Sequence, residues 1–206
     1  MASFLGVAPA RLRGVVARWR RAGYAQTARL GPGPAWCWLT RSGLAATGQR
    51  YAPARPALAR LAHIRAVLAV RLSLEASDAY RDGRAWWRSE RRIRAAVGHV
   101  GGGHVPDAEV SWPELPASAY AGQCWAIEAE LTPKPLARTA AIMTGLLART
   151  ADYQPGAPPA PGPRYDRVIY LAVPAARGVV ERAAGSVPAG QRARLVVRDL
   201  PDGAVL

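Results

Sequence analysis

The chain has 206 residues, of which half are hydrophobic and a fifth are charged, with a formal net charge of +14. This length suits one compact domain or two small ones, and this composition excludes a chain that is disordered throughout. No apolar run approaches the roughly 20 residues that a membrane-spanning helix needs, so we expect no membrane span.

The number of cysteines and the first residues of the chain indicate the cellular location of the protein. The two cysteines, Cys37 and Cys124, are too few for a disulfide scaffold or a four-cysteine zinc site. The chain also begins without the charged-then-apolar pattern of a secretory signal. We therefore expect a cytoplasmic protein with two reduced thiols.

The positive charge is unevenly distributed along the chain. Residues 1–74 contain twelve arginines and no acidic residue, residues 75–98 contain six arginines and four acids, and residues 99–206 are balanced. A coding bias toward arginine does not explain why acids are absent from a third of the chain. This pattern predicts a surface that binds a polyanion, with nucleic acid as the main hypothesis. An anionic membrane surface and a merely solvated face are the alternatives.

Residues 9–22 predict an amphipathic helix. Leu12, Val15, Val16 and Trp19 recur at helical spacing and form its apolar stripe. Arginines occupy the rest of its surface. Together with Arg29 they are the candidate nucleic-acid contacts: Arg11, Arg13, Arg18, Arg20, Arg21 and Arg29.

A β-hairpin and a short helix are predicted next. Residues 24–30 and 35–40 are strand-like and flank a Gly-Pro-Gly-Pro turn, and residues 41–48 predict a helix that stops at Gly48. Trp36 and Trp38 alternate on the second strand, where they either pack into the hairpin core or stack on bases.

The order helix, hairpin, helix resembles the back half of a winged helix. That resemblance implies a recognition helix in the DNA major groove and a wing on the phosphate backbone. A full winged helix has about two further helices in front, whereas eight residues precede this one. The domain is either minimal, completed by a partner, or begun further upstream. An arginine-rich helix packed on a hairpin, with no groove to fill, is the simpler alternative.

The remainder of the chain predicts an α/β domain of the α+β type, with a mixed sheet flanked by helices. Its last segments, strand–helix–strand, predict a parallel βαβ unit. We expect two domains, a winged-helix-like region over residues 1–53 and the α/β domain over residues 54–206. The predicted elements are a helix at 56–77, a strand running into a helical turn at 85–97, strands at 104–112 and 123–131, a helix at 135–150, a strand at 166–173, a helix at 176–185 and a strand at 192–200.

Acidic residues fall at the ends of two neighbouring predicted strands. Asp107 lies on the first, and Glu128 and Glu130 lie two residues apart on the second, so that both point to the same face. Carboxylates gathered in this way repel one another unless a cation lies among them. His104 is close enough in sequence to Asp107 to act beside it.

This order of elements and acids resembles the PD-(D/E)xK nuclease superfamily. The resemblance implies that Asp107 and Glu128 hold Mg²⁺ or Mn²⁺, whose preferred ligands are hard oxygens. It also implies a lysine two residues after the second acid. Glu130 occupies that position here, so Lys134, the single lysine of the chain, is either a displaced catalytic amine or a solvated residue beside the next helix. The candidate catalytic residues are Asp107, Glu128, Glu130 and Lys134.

Together, the winged-helix front, the Pro-Asp strand, the acid-x-acid strand and the strand DRVIYLAV resemble the replication–relaxation family over roughly residues 9–200. Its members are encoded on plasmids and integrative elements, mostly of Gram-positive bacteria. The resemblance implies a protein that binds double-stranded DNA in replication or transfer of the element. The nuclease-like domain is either inactive, with no cofactor, or a nickase-type endonuclease that needs Mg²⁺ or Mn²⁺. A relaxase or replication protein and a second copy of the chain are the candidate protein partners.

Overall fold

The computed structural model describes residues 9–97, 103–116, 118–150 and 164–201. The chain divides into two compact units, residues 1–65 and residues 66–206. The elements, in chain order, are α1 (Pro9–Arg21), β1 (Ala25–Ala28), β2 (Trp36–Leu39), α2 (Arg41–Ala46), a 3₁₀ turn (Leu58–Arg60), α3 (Leu61–Glu75), α4 (Asp78–Asp82), β3 (Trp86–Ser89), α5 (Glu90–Val97), β4 (Ala108–Ser111), β5 (Cys124–Glu130), α6 (Leu136–Ala148), β6 (Arg167–Ala172), α7 (Pro174–Gly185), α8 (Ala189–Arg192) and β7 (Leu195–Asp199).

The first unit contains a helix, a hairpin and a short helix, as the sequence predicts. β1 and β2 pair antiparallel, with Ala25 opposite Leu39. Thr40 ties the three elements together, because its hydroxyl donates to the Gly23 carbonyl at 2.5 Å and accepts from the Gly43 amide at 3.1 Å at the start of α2. The Thr40 side chain thus caps the start of α2 and links it to the segment that follows α1.

Two apolar residues of predicted helices are exposed to solvent. Trp19 in α1 is 41% exposed and Leu58 is 69% exposed. Leu58 lies in the 3₁₀ turn before α3, so the predicted helix over 56–77 is shorter than expected. It also ends early, because the Ser77 hydroxyl accepts a hydrogen bond from the Tyr80 amide and begins α4 as a separate helix.

The second unit is built on a five-stranded mixed sheet in the order β3-β4-β5-β6-β7. β3, β4 and β5 pair antiparallel, whereas β5, β6 and β7 are parallel. β6 and β7 form the predicted parallel strand–helix–strand unit, and α7 and α8 connect them. The expected α/β architecture, with a mixed sheet and flanking helices, is confirmed.

Both faces of this sheet are covered by helices. Val70 of α3 and Tyr80 of α4 pack on one face against Val110, Ile127 and Leu171. The opposite face is covered by α6 and α7 through a core cluster that includes Met143, Leu146, Leu147, Val180, Ala126, Val168 and Tyr170. Because strand residues alternate between faces, every second residue of β5 from Ala126 onward lies under α6 and α7.

No helix among the described residues is long and apolar enough to cross a membrane.

Candidate functional sites

Three of the predicted acidic residues converge at one end of the sheet. β4 runs antiparallel to β5, with Ala108 opposite Ile127, so the residue before β4 lies beside the end of β5. The Asp107 carboxylate accepts a hydrogen bond from the Ala129 amide at 2.9 Å. Glu128 and Glu130 lie on the same face of β5, under α6 and α7, and are 3% and 4% exposed. We call Asp107, Glu128 and Glu130 the acidic cluster.

Each member of the acidic cluster has its own partner. His104 Nε2 lies 2.8 Å from Glu128 Oε1. Lys134 Nζ lies 2.7 Å from Glu130 Oε2. Lys134 is thus ion-paired with Glu130 while its side chain remains 33% exposed, and His104 also lies at the acidic cluster.

Burial dominates the electrostatics of the acidic cluster. The pKa of Glu128 is raised from 4.5 to about 7, mainly by burial and in addition by the negative Asp107, although the hydrogen bond with His104 and the charge of Lys134 oppose this rise. Tyr170, opposite Glu128 on β6, also has a raised pKa, first through burial and then through the three carboxylates. Within the described residues, its buried hydroxyl has no hydrogen-bond partner.

Across the described ranges, no group of three or more His, Cys, Asp or Glu side chains is placed so that it could hold a metal ion. Each carboxylate has a neighbouring partner: His104 for Glu128, Lys134 for Glu130 and the Ala129 amide for Asp107. The residues predicted to hold Mg²⁺ or Mn²⁺, Asp107 and Glu128, are adjacent, but they are engaged by other groups.

A third buried carboxylate on the same face, Glu109, was not among the predicted site residues. Glu109 on β4 is 1% exposed and lies opposite Arg88 on β3, whose Nη1 is 3.1 Å from Oε2. Arg164 Nη2 lies 2.9 Å from Oε1, and the Tyr165 hydroxyl donates to the same oxygen at 2.7 Å. The sequence clue was an acid in the middle of an otherwise buried strand, since such a residue requires a partner.

The predicted nucleic-acid contacts form an exposed basic surface on the first unit. All six side chains, Arg11, Arg13, Arg18, Arg20, Arg21 and Arg29, are exposed. The first five lie on α1, and Arg29 follows β1. No acidic residue occurs before Glu75, so the first unit itself offers these guanidinium groups no carboxylate. We call these six residues the arginine surface.

Next to part of the arginine surface, an open groove runs between the end of α1 and the hairpin. Arg20 and Arg21 line it from α1, Gln26 from β1, Trp38 from β2, and Arg55 from the segment after α2. The Trp38 indole Nε1 donates to Gln26 Oε1 at 3.1 Å. Trp36 and Trp38 are both half-buried, so neither is enclosed in a core.

Comparisons with known proteins add no relative: no family model, no curated protein and no solved structure matches this chain.

Proposed function

We propose that this protein binds double-stranded DNA through the arginine surface, as a member of the replication–relaxation type that acts in the cytoplasm on the DNA of a plasmid or integrative element. The observation that carries the proposal is the arginine surface itself, which consists of six exposed guanidinium groups on a unit without acidic residues. Guanidinium groups form paired hydrogen bonds with phosphate oxygens, and such contacts supply most of the affinity for duplex DNA.

The architecture of the first unit supports a winged-helix mode of binding. In this proposal α1 is the recognition helix, and the hairpin of β1 and β2 is the wing that lies on the backbone. Arg29, next to the hairpin turn, then contacts phosphate while the arginines of α1 contact the groove and its rims.

The second unit supports the nuclease-like part of the same proposal. After α3 and α4 it has three antiparallel strands, β3 to β5, with α5 between the first two, and then α6 and the parallel strand β6. Its acids gather at adjacent ends of β4 and β5. Because each of these acids is paired with a neighbouring group, we assign the second unit to a supporting role, as a further DNA surface or a dimer platform.

Duplex binding is tested with the double variant Arg11→Ala/Arg18→Ala. These two residues are seven apart and thus lie on the same side of α1. We expect weaker binding to duplexes of any sequence and a salt dependence that is flatter by about 2 in the log–log slope, since two phosphate contacts are lost. Gel retardation over a range of salt concentrations measures both quantities.

The matched control is Arg81→Ala/Arg94→Ala in the second unit. It removes the same charge, but these arginines are ion-paired with Asp78 and Glu90. If both double variants lose the same affinity, the loss reflects net charge alone, and the assignment of the arginine surface is overturned.

The second candidate is a metal-dependent DNA endonuclease of nickase type. The observation that favours it is the convergence of Asp107, Glu128 and Glu130 beside Lys134 at one end of the sheet. Supercoiled plasmid, incubated with the parent and with Asp107→Ala in EDTA and in Mn²⁺, tests it. Nicking that requires Mn²⁺ and is absent from the variant establishes this activity, whereas retardation without nicking in both proteins rejects it.

A further inference from the structure

We propose that the groove between α1 and the hairpin binds single-stranded DNA, with one base stacked on Trp38 and the adjacent phosphates held by Arg20, Arg21 and Arg55. This inference deepens the proposed function, on which it rests for its ligand class. It adds a second binding mode that the arginine surface alone does not require.

The cations of the groove come from two separate parts of the chain. Arg20 and Arg21 lie in the last turn of α1, whereas Arg55 reaches the groove from the segment between α2 and the 3₁₀ turn. All three are exposed, and no acidic residue lines the groove. A channel with positive charge on two sides follows a flexible phosphate backbone, which is the first requirement for binding a single strand.

Trp38 supplies the second requirement, an oriented aromatic ring. Its indole N–H is bound to Gln26, the residue directly opposite on β1, and this hydrogen bond restricts the rotation of the ring. The ring is half-buried and lines the groove, so part of it is accessible from the side where the arginines lie. Every base has an aromatic face, so such a ring accepts a base without demanding a sequence.

The combination favours a single strand over a duplex. In duplex DNA the bases are stacked on one another and present only their edges in the grooves, so an indole in a protein groove finds no base face. In a single strand the faces are free. Phosphate contacts alone would suit either form. Trp38, which lies among the three arginines, favours the single strand because its ring can stack only on a free base face.

The test compares a fluorescein-labelled oligothymidylate with a duplex, using fluorescence anisotropy. We expect Trp38→Leu to weaken single-strand binding by about fivefold or more, because the stacking is lost, and Trp38→Phe to retain most of it. Arg55→Ala also weakens single-strand binding. Duplex binding stays close to that of the parent in all three variants, since Trp38 and Arg55 are outside the arginine surface.

Arg50→Ala is the matched control for Arg55→Ala. Both side chains are exposed in the same acid-free part of the chain, but Arg50 does not line the groove. The inference is overturned if Arg50→Ala and Arg55→Ala weaken single-strand binding equally, or if Trp38→Leu binds the oligothymidylate as the parent does. Retained duplex binding shows that Trp38→Leu is folded, and Arg55→Ala tests the groove without altering the hairpin.

The two proposals fail in different ways. Binding of duplex but not of oligothymidylate by the parent contradicts the groove inference and leaves the proposed function intact. Binding of oligothymidylate but not of duplex contradicts the arginine-surface proposal and supports the groove.

Discussion

At the scale of single residues, burial decides what the carboxylates of the second unit do. Glu109 is enclosed by Arg88, Arg164 and Tyr165, so its charge is matched within the sheet layer. Glu128 is equally buried, but its hydrogen-bonding neighbour is one histidine. Glu109 therefore belongs to a structural network. Glu128 has a raised pKa.

Replacement of Glu109 tests the structural role of its ion pairs. We expect Glu109→Ala to lower the free energy of unfolding by about 3–5 kcal/mol, because Arg164 and Arg88 would keep partly buried charges without a counter-ion. Urea denaturation followed by circular dichroism measures this change. The control Glu181→Ala removes an exposed carboxylate paired with Arg177 and should cost less than about 1 kcal/mol. Similar values for both variants would contradict the network.

The raised pKa of Glu128 predicts a pH-dependent stability. A carboxyl group whose pKa is about 7 in the folded state and 4.5 when unfolded binds its proton more tightly in the folded state. The folded protein is therefore penalised by its ionisation, and the penalty grows from about pH 4.5 until it levels off above about pH 7, where it amounts to about 3 kcal/mol.

The variant Glu128→Gln isolates this effect. Because glutamine does not ionise, the variant should gain stability relative to the parent as the pH rises through that window. Asp107, Lys134, His104 and Tyr170 remain in both proteins, so the comparison isolates Glu128 together with its coupling to them. Urea titrations at several pH values measure the difference, and parallel stability curves for parent and variant would refute the assignment.

At the scale of elements, the first unit depends on a close approach between α2 and Tyr24, in the segment that connects α1 to β1. A Cβ atom on Gly43 would lie 2.0 Å from the Tyr24 carbonyl oxygen, so only glycine fits at this contact. The Thr40 cap and the hydrogen bond from the Thr40 amide to the same carbonyl hold the hairpin at this contact. The hairpin is thus positioned by backbone contacts, since α2 offers a single large buried side chain, Leu44.

The close contact at Gly43 predicts that an added methyl group destabilises the first unit. Gly43→Ala should destabilise the first unit by about 2 kcal/mol or more, because the clash is with backbone that has no rotamer to change. Gly14→Ala is the control: it lies inside α1, its nearest neighbour would be Arg18 Nη1 at 4.0 Å, and it should stabilise the helix by about 0.5–1 kcal/mol. Hydrogen exchange of the hairpin amides reports on both, and unchanged protection in Gly43→Ala would contradict the prediction.

At the scale of the whole molecule, charge and chemistry are divided between the two units. The first unit lacks acids, and the second contains every described carboxylate, many of them in ion pairs. The net charge of +14 thus comes mainly from the first unit. A polyanion is expected to engage that unit first and the balanced second unit only through local features.

Salt dependence follows from this division. If the six residues of the arginine surface each contact one phosphate, duplex affinity should fall about a thousandfold when the salt concentration rises from about 50 to 200 mM. Fluorescence anisotropy over that range measures the slope. An affinity that does not change with salt would show that the arginines contact no phosphates.

The sequence alone was enough to predict the order of the longer helices and the strands, the acid-free basic unit and the convergence of Asp107 with Glu128 and Glu130, but not the short helices α4 and α8. These features depend on local periodicity, on turn residues and on the pairing of consecutive strands, which short stretches of sequence indicate. It did not predict the exposure of Trp19, the network around Glu109 or the groove that joins Arg55 to Trp38. The network and the groove bring together residues distant in sequence. The pKa of Glu128 is raised because α6 and α7 bury its face of the sheet, which only the tertiary packing decides.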